Sequence, residues 1–379
     1  MIRPGGAAAR TGPAVFAARC ARRAHGDAGH GKLRAMKPIP SIAAPVLCLS
    51  GSGFRAALFA AGSLLRLAEA GALAPGLRVQ AVSGGALAAA CLAAAWSRLQ
   101  AEGGHAAAIR REVLGPLQRL CSRTLDGRSV VGGLLFPRSG AEWLSHHLDR
   151  EICHGLLFGD LPPDLDLTIG ASALSDGGRV AIGNIERART ASVTLVAPAL
   201  RLSDAVCASI ALPPATAAVA LARGGGESVS LVDGALADPL ARADAGNWLL
   251  VCDGAGSTAA PATDLRAEQA ARVTDLLLDA LREPAARGLR EQLVAGDARG
   301  ACWGLRSSTA DYAADTGLVC PPARAAAIAA LPGRYAALAA EDQERLVNWG
   351  YAICDLALRS GPYPALPMPA AFPFHDGGL

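Results

Sequence analysis

The residues of this chain whose types and spacing could do chemistry fall in three short segments, each following an apolar run. In Gly51-Ser52-Gly53-Phe54-Arg55-Ala56, glycines come after Pro45 to Leu49 and before a helical pattern, an arrangement that offers backbone N–H groups to an anion. In Ala81-Val82-Ser83-Gly84-Gly85, a serine stands where a strand gives way to a helix. Its small neighbours allow a sharp turn, as in the GxSxG nucleophile elbow. In Leu231-Val232-Asp233-Gly234-Ala235, an aspartate ends a strand just before a turn-forming glycine.

Two anions suit the first segment. A phosphate would make the chain a nucleotide-binding protein, and the segment satisfies the loose dinucleotide pattern GxGxx[GA] between a strand and a helix. That reading requires an acid at the end of the second strand to hold ribose hydroxyls. The second strand instead finishes Gln80-Ala81-Val82 and runs into Ser83, and Glu69 lies inside the intervening helix. The other anion is the transient oxyanion of an ester under attack. In a parallel sheet the loops after successive strands gather at the carboxyl edge, which sets Gly51, Ser52 and Gly53 beside Ser83 as an oxyanion cradle. The dipole and leading N–H groups of the helix after Ser83 favour negative charge at the same place.

A serine at its free pKa needs a base. His25 and His30 lie in the N-terminal tail, His105, His146, His147 and His154 in a helical stretch, and His375 in the ending Phe-Pro-Phe-His-Asp-Gly-Gly. Asp233, at a strand end, is the economical partner, so a Ser83 and Asp233 dyad is expected. The alternative among hydrolases is a Ser83, Asp233, His375 triad, which has the chain order of the α/β-hydrolases.

The elements around these segments read as α/β. Pro45 to Leu49 is a strand, Phe54 to Ala70 a helix, Leu77 to Val82 a strand and Ala86 to Leu99 an Ala-rich helix, so a mainly parallel sheet is expected. From about 100 to 163 the pattern is helix and loop, read as an insertion that caps the site. Strands resume at Asp166 to Ala171, Arg179 to Asn184, Val193 to Ala197, Val229 to Val232 and Trp248 to Cys252. From 261 the chain reads as mainly helical, with Val273, Leu276, Leu277 and Leu281 on one face and Leu346, Ile353 and Leu356 similarly spaced. Residues 41–260 form the expected catalytic domain, and 261–379 a helical extension packed on it.

Composition narrows the partners. The net charge of +3 hides an uneven distribution, because residues 1–37 hold eight Lys and Arg against Asp27. The rest carries 28 basic and 32 acidic residues, about −4, with no basic footprint for nucleic acid. Residues 1–40 read as a disordered basic segment, and an alternative start of translation falls at Met36. Ten cysteines without a CxxC pair indicate neither a zinc cage nor a secreted disulfide framework. Neither a metal nor a cofactor is expected, Cys153-His154 having no further ligands nearby in sequence. The stretch Ala81 to Trp96 is interrupted by Ser83, Gly84 and Gly85, so no transmembrane helix is expected. The expected location is the cytoplasm, with transient contact at a membrane surface.

In this order the motifs resemble those of the patatin-like phospholipases, over roughly Pro45 to Cys252. The family's oxyanion loop DGGGxRG is similar to Ser50 to Ala56, its GxSxG serine to Ser83, and its Asp-Gly-Gly to Asp233-Gly234-Ala235. Ala208-Ser209-Ile210-Ala211-Leu212-Pro213 resembles the segment ASxALP that precedes the family's aspartate. The ending LVNWGYAICDLALR resembles the C-terminal helix of some bacterial members. The resemblance implies a three-layer α/β/α fold and a serine acyl hydrolase of lipid esters. It implies an acyl-enzyme on Ser83, Asp233 as general base, and supporting roles for Arg55, Gly84, Gly85 and Gly234. Arg55 would brace the loop, meet an anionic head group, or be a plain surface arginine. Ser52, Ala81, Ala235 and Asp238 depart from the family pattern, and a positive φ at Ser52 or Ala235 would carry strain of roughly 1 to 2 kcal/mol. A protein that keeps the fold and binds lipid without turnover is the alternative from another class.

Overall fold

Two alternations of strand and helix build the centre of the molecule. Strand β1 (Val46–Ser50) is buried at every residue and runs through the glycine loop into helix α1 (Gly53–Glu69), whose residues from Gly53 to Leu67 are all buried. The helix lies inside the protein, and its two buried arginines, Arg55 and Arg66, each have a partner from a later part of the chain. Strand β2 (Leu77–Val82) then passes through Ser83 into α2 (Gly84–Ala101), rich in small alanines that pack closely on the sheet. The computed structural model describes residues 44–379 apart from 126–136, 185–192, 197, 214, 225–226, 244, 247 and 258–265. The basic N-terminal segment and Met36 lie outside the described residues.

Among the described residues nine strands form one mixed, mostly parallel sheet. Its main path is β5-β4-β3-β2-β1-β8-β9, with β3 (Leu165–Ala173), β4 (Arg179–Gly183), β5 (Val193–Val196), β8 (Trp248–Asp253) and β9 (Arg299–Gly304). The neighbours β3-β2, β2-β1, β1-β8 and β8-β9 are parallel, and β3-β4 is antiparallel. The hairpin of β6 (Val219–Gly224) and β7 (Glu227–Asp233) pairs antiparallel with the end of β3. The remaining α-helices of seven residues or more are α3 (Gly115–Cys121), α4 (Pro137–Leu148), α5 (Leu202–Ile210), α6 (Arg266–Ala295), α7 (Pro322–Ala329) and α8 (Ala340–Arg359).

Crossover direction decides which face each helix covers. The steps β1 to β2 to β3 go one way along the sheet and β8 to β9 the other, so right-handed connections put α1 and α2 on one face and α6 on the opposite one. The buried side chains divide accordingly. Leu47, Leu49, Val79 and Ala81 pack with α1, α2 and α8, whereas Val46, Cys48, Leu249 and Val251 pack with Ala286 and Leu289 of α6.

Two strands differ from the sequence reading. β9 lies in the region read as helical, where Arg299 to Gly304 is too short and glycine-rich for periodicity to mark it. β6 lies where the sequence pattern marks no strand. Val273, Leu276, Leu277 and Leu281 do share a helical face, but all four are exposed, whereas Leu346, Ile353 and Leu356 of α8 are buried. No helix among the described residues is long and apolar enough to cross a membrane.

Candidate active site

The turn between β2 and α2 holds Ser83 at φ 52° and ψ −132°, a conformation that L residues avoid. Such strain costs on the order of 1 to 3 kcal/mol and persists where the surroundings enforce it. Here the Ser83 N–H donates to Ser209 Oγ at 2.9 Å, and the Ser209 hydroxyl donates to the carbonyl of Gly170 at 2.6 Å. Ser209 on α5 therefore pins the turn to β3. The strain that sequence placed at Ser52 or Ala235 lies at the serine instead: Ser52 is extended at φ −111°, and Ala235 is not among the residues with positive φ. Ala81, where the elbow pattern has glycine, is a core residue of β2.

Asp233 arrives by a route that sequence did not show. β3 continues past the end of β2, and β7 pairs antiparallel with that overhang, Ala171 facing Asp233. The aspartate thus reaches the carboxyl edge from beyond it. Its backbone is fixed on both sides, the N–H donating to Ala211 O at 2.7 Å and the carbonyl accepting from Ser172 Oγ at 2.8 Å. Its carboxylate oxygens are divided: Oδ1 accepts the Ala235 N–H at 2.9 Å and Oδ2 accepts the Ser83 hydroxyl at 2.7 Å. Burial pushes the Asp233 carboxyl up to about 6, opposed by the hydrogen bonds from Ser83 and Ala235, which favour the ionised form. A carboxylate with this poise can accept a hydroxyl proton near neutral pH.

The glycine loop lies directly beside this pair. Gly51 at φ 109° and Gly53 at φ 72° give the loop its left-handed turns. The Gly53 peptide is against the start of α2, since a Cβ on Gly84 would fall 2.4 Å from Gly53 O and 3.0 Å from Gly53 N. Gly85 and Gly234 are equally hemmed in, by Leu49 O and Gly170 O. The Gly84 N–H donates to Gly51 O at 2.8 Å, so this amide locks the loop to the elbow. The first turn of α1 carries no acid and no side-chain cap, which leaves its positive end uncompensated by the chain's own side chains.

A strap formed by residues 331–335 covers the outer side of the loop. Phe54 N–H donates to Arg334 O at 3.0 Å, Ser52 Oγ donates to Gly333 O at 3.2 Å, and the Tyr335 ring meets Phe54 edge-on at 5.4 Å. Arg55 is buried rather than a surface residue, and donates to Leu331 O. Burial lowers its guanidinium to about 10, so it remains charged at neutral pH. Arg334 in turn pairs with Asp275 of α6 at 2.9 Å.

His375 is not brought to the dyad. It is exposed near the chain end and lines a cavity of about 440 Å³ with Gly317, Pro321 and Phe372, while both Asp233 oxygens are already engaged. Another cavity, of about 310 Å³ between Arg306 and Trp349, also lies away from the dyad. Ser83 and Asp233 are each 1% exposed. Among the described residues no group of three or more His, Cys, Asp or Glu could hold a metal, and the cysteines are unpaired.

The positioning residue Ser172 and the second aspartate Asp253 carry no signal in the sequence, and Ser209 enters there only within the segment that resembles ASxALP. Asp253-Gly254-Ala255 repeats Asp233-Gly234-Ala235, and its Oδ1 likewise accepts the N–H two residues on. Its other oxygen takes Arg282 at 2.7 Å instead of a serine. Asp238, another departure from the family pattern, closes a turn by accepting the N–H groups of Arg242 and Ala243.

No protein-family model and no curated protein sequence matches this chain. The chemistry of the site therefore rests on its own geometry.

Proposed function

We propose that the chain is a serine acyl hydrolase of lipid esters, patatin-like in fold and mechanism. The observation that carries this reading is the 2.7 Å hydrogen bond from the Ser83 hydroxyl to Asp233 Oδ2 at a strained strand-to-helix turn. Ser83 Oγ attacks the ester carbonyl while Asp233 takes its proton. The carbonyl oxygen becomes an oxyanion that the glycine loop and the start of α1 stabilise. Collapse expels the alcohol, protonated from Asp233, and leaves an acyl ester on Ser83. Water, deprotonated by the same aspartate, then releases the acid and restores the serine. The reading includes a cytoplasmic protein that meets lipid at a membrane surface.

A second reading, a lipid-binding protein without turnover, draws support from the 1% exposure of the dyad and from the engagement of the Phe54 and Gly84 amides.

Hydrolysis of p-nitrophenyl butyrate as a function of pH tests the first reading. Asp233 must be ionised to act, so kcat/KM holds above about pH 6 and falls about tenfold per unit below it. His375→Ala follows the same profile with unchanged rates. Loss of activity in His375→Ala comparable with loss in Ser83→Ala would replace the dyad by the triad, and the absence of hydrolysis at every pH would leave the non-catalytic reading.

A further inference from the structure

Helix α6 carries an apolar stripe that none of the described residues covers. Val273, Leu276, Leu277, Ala280, Leu281 and Pro284 follow one another at the three- and four-residue steps of a helical face, and all are exposed. The other half of the helix is anchored: Ala286 and Leu289 pack under β1 and β8, and Arg282 reaches Asp253 at the last residue of β8. Residues before Arg282 thus continue past the carboxyl edge of the sheet. At 1.5 Å per residue, Val273 lies about 13 Å further along the helix than Arg282. This is the edge that carries Ser83 and the glycine loop, and Asp275 within the projecting half holds Arg334 of the strap on that loop.

The charges beside the stripe favour an anionic surface. Three acids that flank it are occupied by arginine: Asp275 by Arg334, Asp279 by Arg282 and Arg306, Glu283 by Arg282, Arg290 and Arg306. Arg287, exposed below Pro284, has no ion-pair partner among the described residues. Helix α6 itself balances five arginines with five acids, so Arg306 and Arg334, delivered from elsewhere in the fold against the single acid Asp253, leave the patch net positive by one charge. A second copy of the chain suits the stripe less well, because six side chains are far fewer than the roughly 20 to 30 residues a side of a stable protein interface.

We propose that the projecting half of α6 is a docking face for an anionic lipid bilayer. Val273, Leu276, Leu277 and Leu281 enter the acyl boundary and the surrounding arginines meet head-group phosphates, which places the lipid beside the edge that holds Ser83. The assignment rests on the lipid-ester reading for its meaning and is testable without turnover.

The test is co-sedimentation of the full chain, in a Ser83→Ala background, with vesicles of phosphatidylcholine containing phosphatidylglycerol. The expected result is binding that strengthens with phosphatidylglycerol content. It weakens at least about tenfold in Leu276→Asp/Leu277→Asp, with an unchanged melting temperature. Leu277→Ser gives a smaller loss in the same direction. Val319→Asp, which puts the same charge on an exposed apolar residue elsewhere, binds like its parent. No vesicle binding, equal binding by the double variant, or equal loss in Val319→Asp would overturn the proposal. So would a concentration-dependent dimer, seen by light scattering, that the double variant abolishes. Vesicle binding lost in the double variant while the unmodified chain hydrolyses no ester would keep the docking face and remove the hydrolase reading.

Discussion

Ser83→Ala reduces kcat/KM for a short p-nitrophenyl ester by about four orders of magnitude or more, to the residual rate that an oxyanion cradle without a nucleophile supports. The size of the effect follows from covalent chemistry, since no neighbouring hydroxyl occupies the same place. Ser209, the nearest in the hydrogen-bond network, is committed to the Ser83 N–H and the Gly170 carbonyl. Asp233→Asn keeps the shape of the site and removes its base, and lowers kcat/KM by about two to four orders of magnitude. Two further consequences separate the loss of the base from damage to the fold. The acid limb near pH 6 disappears from whatever activity remains. Asp233→Asn also becomes more stable than its parent at neutral pH, for a reason that requires the sign of the shift. The folded-state pKa of Asp233 is raised above that of an unfolded chain, from 3.8 to about 6. The ionised carboxylate therefore opposes folding above that range, and protonation relieves the cost as pH falls through about 6 towards 4. At pH 7 the cost is about 3 kcal/mol. Thermal unfolding of the two proteins between pH 4 and 8 measures it, the gap in melting temperature widening with pH.

Asp355→Ala has the largest expected effect on stability, a loss of about 3 to 5 kcal/mol. Asp355 on α8 is fully buried against Arg66 on α1, which is 4% exposed. One carboxylate oxygen accepts from Arg66 Nε at 2.9 Å and Nη2 at 2.7 Å, and Arg359 donates to both oxygens. Glu69 extends the network by accepting from Arg66 Nη1 and from the Tyr351 hydroxyl at 2.8 Å. Removing the carboxylate leaves the buried Arg66 guanidinium with the half-exposed Glu69 as its remaining counter-charge. The two helices cannot shift apart cheaply to admit solvent, because they meet backbone to backbone. A Cβ on Gly62 would fall 2.0 Å from Val347 O, and one on Gly350 would fall 2.0 Å from Phe59 O. The midpoint of urea unfolding reports the loss. Because α1 begins at the glycine loop, loosening it also slows ester hydrolysis.

The parts of the site that sequence made legible are those in which local chemistry fixes local shape. Gly51 and Gly53 with their positive φ, Ser83 between an apolar strand and an alanine-rich helix, and Asp233 before Gly234 could each be located from their neighbours. What sequence did not show is what depends on pairing at long range. Asp233 and Asp253 stand in nearly the same local sequence, and only the direction of the strands distinguishes them. β7 turns back on the overhang of β3 and delivers one carboxylate to Ser83, while β8 delivers the other to Arg282. Ser52 escapes a positive φ for a similar reason. The backbone turn is made by the glycines on either side, and the serine side chain is used on the strap at Gly333, 281 residues away in sequence. The helical periodicity of Val273, Leu276, Leu277 and Leu281 was legible, but not whether that face meets the core. That depends on where α6 leaves the sheet, which Arg282 and Asp253 decide.

The most direct test of the central claim is the site of covalent attachment of an alkyl fluorophosphonate, which a nucleophile attacks at phosphorus with loss of fluoride. Peptide mass spectrometry of the labelled chain is expected to find a single adduct, on Ser83, absent in Ser83→Ala and at least about a hundredfold slower to form in Asp233→Asn. An adduct on another residue, or labelling unchanged in Ser83→Ala, would contradict the dyad.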